Sequence, residues 1–209
     1  NELVAWHYTK DKKFKTILFF HGNAGKLDNR VYKLNELSRL DVNYLILAYR
    51  GFSGNKGSPS EKGLYIDSIA AKNWLNNIGV EDESIILYGE SLGTAVAVNL
   101  ASENEFAGII LESPFTSMVK LAKKYYPYLP VKILLKDKYE SEKKLRGINT
   151  PILVMHGEQD TIVPLEMGKR IYEISLQPKY KYFNEIDDHM MDYNSQLIQS
   201  INQFIKSLN

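Results

Sequence analysis

Six apolar runs of strand length recur along the chain, at Thr16–Phe20, Val42–Tyr49, Ser84–Tyr88, Ala107–Leu111, Ile152–His156 and Tyr180–Ile186. Helical patterns fill the intervals, at Arg30–Leu40, Glu61–Ile78, Leu92–Ser102 and Leu165–Leu176, with Tyr193–Leu208 closing the chain. Runs that are apolar almost without interruption are suited to burial on both faces, as in a parallel sheet. Parallel neighbours need a crossover, and a helix between successive strands supplies it. The expectation is an α/β fold with a mostly parallel, doubly wound sheet. A further strand-like segment, Leu3–Tyr8, opens the chain. At 209 residues the whole of 1–209 reads as a single domain, able to bury roughly 70% of its unfolded surface without a covalent or metal staple.

One stretch breaks the rhythm. Phe115–Gly147 carries Tyr125-Tyr126-Pro127-Tyr128-Leu129-Pro130 followed by a Lys-rich helical pattern. That is too long for a plain connection, so it reads as a short lid or an elaborated crossover.

Composition removes several classes of function. With 26 basic against 25 acidic side chains the net charge is +1, which leaves no electrostatic footprint for nucleic acid. The absence of Cys excludes disulfide scaffolds, zinc-thiolate sites and thiol catalysis. No apolar run reaches membrane-spanning length. The chain opens without Met and directly on a strand-like segment, so it reads as a fragment whose upstream part, an anchor included, lies outside it. The expected location is cytoplasmic or membrane-associated.

The chemistry gathers at the ends of the strands. Gly89-Glu90-Ser91-Leu92-Gly93 follows the run Ser84–Tyr88 and opens the helix, the strand–turn–helix setting of a nucleophile elbow. The bland alternative is a serine that merely caps a helix. A nucleophilic Ser91 needs a base, and of four histidines only His189 follows every plausible acid in the order Ser, acid, His. His7 lies in the opening strand, and His21 and His156 end strands, where they suit positioning roles. Asp160, just past Ile152–Met155, is the candidate acid that would orient His189, with Glu158 as its rival. His21-Gly22-Asn23-Ala24-Gly25 follows Thr16–Phe20, and a developing oxyanion needs two preset N–H donors. Leu92 and Asn23 are the candidates, with Ala24 the alternative to Asn23. A phosphate-binding loop fails, because it would need Gly at Phe20 and Ser or Thr at Leu27. Gly51-Phe52-Ser53-Gly54-Asn55-Lys56-Gly57 misses the dinucleotide spacing. A metal at His156 and Asp160 lacks a third ligand, so neither metal nor cofactor is expected.

Over essentially its whole length the chain resembles the α/β-hydrolases, in particular the short-lid branch that includes membrane-anchored esterases and protein depalmitoylases. The resemblance rests on His21-Gly22-Asn23-Ala24-Gly25-Lys26-Leu27 with Arg30, and on Tyr49-Arg50-Gly51-Phe52-Ser53-Gly54. Pro59-Ser60-Glu61-Lys62-Gly63-Leu64-Tyr65-Ile66-Asp67 and the Ser91 motif continue it in order. The resemblance implies Ser91, Asp160 and His189 as a triad, and places the family's first strand upstream of this chain. Departures are Ala48 where members usually carry Asp, Asp188 where a small residue precedes the His, and His189-Met190-Met191-Asp192 in place of His-Asn-Asp.

The expected activity is hydrolysis of carboxylic esters or thioesters, on a small acyl substrate, through an acyl-enzyme. The alternatives are a peptidase with the same triad and an inactive hydrolase fold serving as a binding module. Within Phe115–Gly147 nine basic residues face three acids, a net of +6 that leaves −5 for the remainder. That asymmetry, beside three tyrosines, suggests peripheral contact of the lid with an anionic membrane. The alternative is a solvated basic face.

Overall fold

A computed structural model describes residues 2–208. The seven strands are β1 (Ala5–Tyr8), β2 (Thr16–Phe20), β3 (Asn43–Leu47), β4 (Ile85–Glu90), β5 (Gly108–Glu112), β6 (Ile152–Gly157) and β7 (Lys179–Asn184). They form one sheet in the order β1-β3-β2-β4-β5-β6-β7. β1 pairs antiparallel with β3, and every other pair is parallel. The five central strands are the near-continuous apolar runs and are buried almost throughout.

Side chains of successive residues point to opposite faces, and each face has its own core. Ile17 and Phe19 join Leu34 and Leu37 of α1 (Val31–Ser38) and Leu197, Ile201 and Phe204 of α8 (Ser195–Ser207). Leu18 and Phe20 join the other layer, built from α2 (Glu61–Asn77), α3 (Leu92–Ala101) and α7 (Leu165–Ile174). Helix α3 is buried along its whole length, as a sequence apolar except for Thr94 and Asn99 requires.

Three expectations need adjustment. The run Tyr180–Ile186 becomes β7, an edge strand only half covered, and Ile186 lies beyond it, 82% exposed. The helix expected over Arg30–Leu40 divides into a 3₁₀ turn, Leu27–Arg30, and α1, with the Asn29 side chain accepting from the Lys26 amide. The 115–147 stretch holds three short helices: α4 (Met118–Tyr125), α5 (Val131–Leu134) and α6 (Ser141–Leu145). Pro127 and Pro130 interrupt what would otherwise be one crossover.

This stretch has a rooted base and an outer tip. At the base, Met118 N donates to Lys138 O and Glu142 N to Thr116 O. The Glu61 carboxylate at the start of α2 accepts from the amides of Lys138 and Tyr139, and Tyr139 and Leu145 enter the core. At the tip, Tyr125 Oη donates to the carbonyls of Thr161 and Ile162, tying the end of α4 to the turn that carries Asp160.

Candidate active site

Ser91 stands between β4 and α3 with φ 50° and ψ −112°. A non-glycine residue held there stores on the order of 1–3 kcal/mol, and such strain gathers where a side chain must be presented sharply. The flanking glycines make the turn possible. A Cβ on Gly93 would lie 2.0 Å from the Phe20 carbonyl oxygen, and one on Gly89 would lie 2.5 Å from Thr94 Cα. The Ser91 amide donates to Glu112 O at 2.9 Å, which seats the turn against the end of β5.

The loops after β6 and β7 bring Asp160 and His189 to this turn. His189 Nε2 lies 3.0 Å from Ser91 Oγ, and Nδ1 lies 2.8 Å from Asp160 Oδ2. An ionised carboxylate can only accept, so Nδ1 carries the proton and Nε2 is left to accept from the serine hydroxyl. The other oxygen, Oδ1, accepts from the amides of Ile162 (2.8 Å) and Val163 (2.7 Å). Burial alone would raise the Asp160 pKa, but hydrogen bonds from His156, His189 and Val163 outweigh it and hold the carboxyl well below the usual range. Glu158, the rival acid, is exposed, and among the described residues it makes only a backbone bond, to Asn184 O. Asp188 accepts from the amides of Thr161 and His189, and so clamps the two loops together.

His156 is fully buried behind the acid. Its Nε2–H faces Val163 O at 2.9 Å and Asp160 Oδ2 at 3.3 Å. Gly168 in α7 makes the room, since a Cβ there would lie 2.3 Å from His156 Nδ1. His7 is exposed in β1, edge-on to Trp74, and takes no part in the site.

Of the two candidate amide donors, Leu92 opens α3, where the first N–H groups of a helix have no intrahelical acceptor. Asn23 N has no protein acceptor among the described residues, whereas Gly22 N is already bound to Glu90 Oε1 at 3.1 Å. The Ala24 carbonyl accepts from Arg30 Nη1 at 2.6 Å, and Leu27 N donates to Ser53 Oγ, so the loop is held from both sides.

A buried charge cluster lies beneath the turn, and of its members only Arg30 and Glu90 stand in the motifs named above. Glu90 pairs with Arg30 and, at 2.7 Å, with Lys33; Lys33 reaches Glu112 at 2.6 Å. Tyr88 and Tyr193 donate to the second oxygen of Glu112. Two cations and two carboxylates cancel, which is the condition for burying them. Burial alone would raise the Glu90 pKa, but the charges of Lys33 and Arg30 outweigh it and hold the carboxyl well below the usual range. The cluster joins the nucleophile turn, the Asn23 loop and, through Tyr193, the segment after His189. A signal for it was present: Arg30, Lys33, Leu34 and Leu37 are spaced as one inward helix face, so Lys33 was a charge at a core position.

His21 yields a prediction about pH. Burial lowers its pKa to about 4 from 6.5, with the Gly22 carbonyl hydrogen bond opposing the shift. The folded chain therefore binds fewer protons than the unfolded chain between these values. Its contribution is full above pH 6.5 and declines toward pH 4, by up to about 3 kcal/mol. Urea melts across this window are expected to show a shallower acid decline for His21→Gln than for the parent. An unchanged decline would contradict the assignment.

Among the described residues no group of three or more His, Asp or Glu side chains is arranged to hold a metal ion. None of the described helices is long and apolar enough to cross a membrane.

Comparison with known proteins places this geometry in context. The family model described as Phospholipase/Carboxylesterase matches residues 65–209. The lysophosphatidylserine lipase ABHD12 of Danio rerio is 35% identical over 183 residues, covering 78% of this chain and 48% of that protein. Human alpha/beta hydrolase domain-containing protein 17B is 32% identical over 201 residues, covering 91% of this chain and 66% of its own length. A Mycobacterium tuberculosis protein described as uncharacterized is 38% identical over 180 residues, 85% of this chain and 64% of that one. The chain thus spans between about half and two thirds of these relatives. Among solved structures, Est1E of Butyrivibrio proteoclasticus with ferulic acid bound aligns with a TM-score of 0.83 at 16% identity, covering 99% of this chain and 95% of that one. The monoacylglycerol lipase of Paleococcus ferrophilus aligns over the full length of both chains, with a TM-score of 0.73 and 15% identity. Both likenesses speak to the fold.

Proposed function

Because this chain belongs to the phospholipase/carboxylesterase family of α/β hydrolases, we propose that it cleaves carboxylic esters or thioesters of acyl groups through Ser91, His189 and Asp160. In this reading His189 Nε2 takes the hydroxyl proton as Ser91 Oγ attacks the acyl carbonyl. The amides of Leu92 and Asn23 hold the oxyanion of the tetrahedral intermediate. His189 then returns the proton to the leaving alcohol or thiol as the bond to the acyl carbon breaks. Water, deprotonated by the same imidazole, attacks the acyl-enzyme, and the acid departs with Ser91 restored. Asp160 keeps the proton on Nδ1 and stabilises the imidazolium formed twice in the cycle.

One observation carries the reading: an unbroken hydrogen-bonded chain from Ser91 Oγ through both ring nitrogens of His189 to a buried carboxylate. The test is covalent labelling with a fluorophosphonate, followed by peptide mapping and an acyl-chain-length series of nitrophenyl esters. The label is expected on Ser91 alone, with ester turnover lost in proportion to labelling. Faster cleavage of aminoacyl-peptide amides than of any ester would select a peptidase instead.

A further inference from the structure

We propose that the tip of the 115–147 stretch is a docking surface for an anionic lipid bilayer. The claim goes beyond hydrolysis and holds whichever residue is the nucleophile. Five large apolar side chains stand in solvent within ten residues of one another: Tyr126, Tyr128, Leu129, Ile133 and Leu134. Tyr128 is 97% exposed and Ile133 83%. Isolated exposed apolar residues are ordinary, but a contiguous group of this size marks an interaction surface.

Charge identifies the partner. Lys123, Lys124, Lys132 and Lys136 are exposed among these side chains, and none of the four is in an ion pair among the described residues. Lys120, Lys143 and Arg146, at the base, are all paired with Glu140 or Glu142. Lys138 and Lys144, also without an ion pair among the described residues, are half-buried at the base, and Lys144 donates to Asn99 Oδ1, so the exposed unpaired charge of the stretch is concentrated at the tip, beside the apolar group. Aliphatic and tyrosyl side chains ringed by unpaired lysines match a bilayer boundary, where apolar groups enter the acyl region and ammonium groups meet anionic headgroups. A symmetric contact with a second copy would bring like charges face to face, which disfavours that occupant.

The tip is also anchored where docking would matter. The bonds from Tyr125 Oη to the Thr161 and Ile162 carbonyls join it to the turn whose amides hold Asp160. Ile162 on that turn is itself half exposed, continuing the apolar surface toward the catalytic end of the sheet. A chain resting on this surface would face acyl groups in the membrane.

The experiment is co-sedimentation of the whole chain with vesicles of phosphatidylcholine alone and of phosphatidylcholine doped with phosphatidylserine. Binding is expected to the doped vesicles and to weaken as salt rises. Tyr128→Ser with Ile133→Ser is expected to reduce partitioning at least about tenfold. Lys123, Lys124, Lys132 and Lys136 all changed to Glu are expected to reduce it by more than about a hundredfold. Both variants alter exposed side chains only, so hydrolysis of a short water-soluble ester should remain at the parental rate. The parent and Ser91→Ala should bind equally, which separates this claim from the catalytic one. Failure to bind doped vesicles, equal binding to neutral ones, or binding untouched by either variant overturns the proposal. Self-association abolished by these variants, without vesicle binding, would assign the surface to a second copy and overturn it equally.

Discussion

Ser91→Ala is expected to lower ester turnover by on the order of 10⁴–10⁶ and to abolish fluorophosphonate labelling, with the melting transition close to the parent's. The stability half follows from contacts. Among the described residues the Ser91 hydroxyl is bonded only to His189 Nε2, and the positive φ is imposed by the turn on whichever residue stands there. Alanine therefore removes the nucleophile and leaves the strain as it was. What survives is the oxyanion site and substrate binding, which account for the residual rate. His189→Ala should match this loss, because the three groups act as one unit. His156→Ala should act differently, costing stability through a fully buried ring. Label persisting on another serine of the Ser91→Ala chain would sink the assignment.

The second large effect is expected at Asp160. Asparagine preserves the shape, but its amide has one accepting and one donating end. The Ile162 and Val163 amides claim an acceptor at the Oδ1 position. The NH₂ is thereby directed at the place of Oδ2, where His189 Nδ1 and His156 Nε2 now point their protons. Facing a donor, His189 must accept at Nδ1 and carry its proton on Nε2, toward Ser91. A base protonated on the wrong nitrogen cannot take the hydroxyl proton, and kcat should fall by roughly 10⁴ with a much smaller change in KM. Glu158→Gln, at an exposed side chain off this network, should leave kcat nearly unchanged. Equal losses in the two variants would refute the choice of Asp160.

The strands most legible in the sequence were those buried on both faces. Thr16–Phe20 is β2 to the residue, and the other central strands fall within one or two residues of their apolar runs. There, period and composition act together. β7 was less legible, since at a sheet edge its tyrosines alternate with lysines and neither face is fully buried. The Ser91 motif, the chain order and the family resemblance brought Ser91, Asp160 and His189 into one hypothesis, and their hydrogen bonds span 98 and 29 residues. Pairings of that range lie beyond any local pattern. The same limit hid the contacts of Lys33 with two glutamates, whereas that of His156 with Asp160, four residues on, was hidden because a residue's type does not state its depth. In Phe115–Gly147 the prolines marked an interruption, but the folding of its base onto α2 depends on the Glu61 carboxylate, far along the chain.

The buried quartet of Arg30, Lys33, Glu90 and Glu112 carries a consequence for how related sequences diverge. Its charges sum to zero only together, so a neutral side chain at any one position strands an opposite charge under the nucleophile turn, typically at a cost of about 3–5 kcal/mol. Drift at these sites must proceed in compensating pairs, a cation leaving with a carboxylate. In an alignment of relatives this is expected as correlated substitution between Arg30 and Lys33, at the start of α1, and the ends of β4 and β5, with each surviving combination electrically neutral.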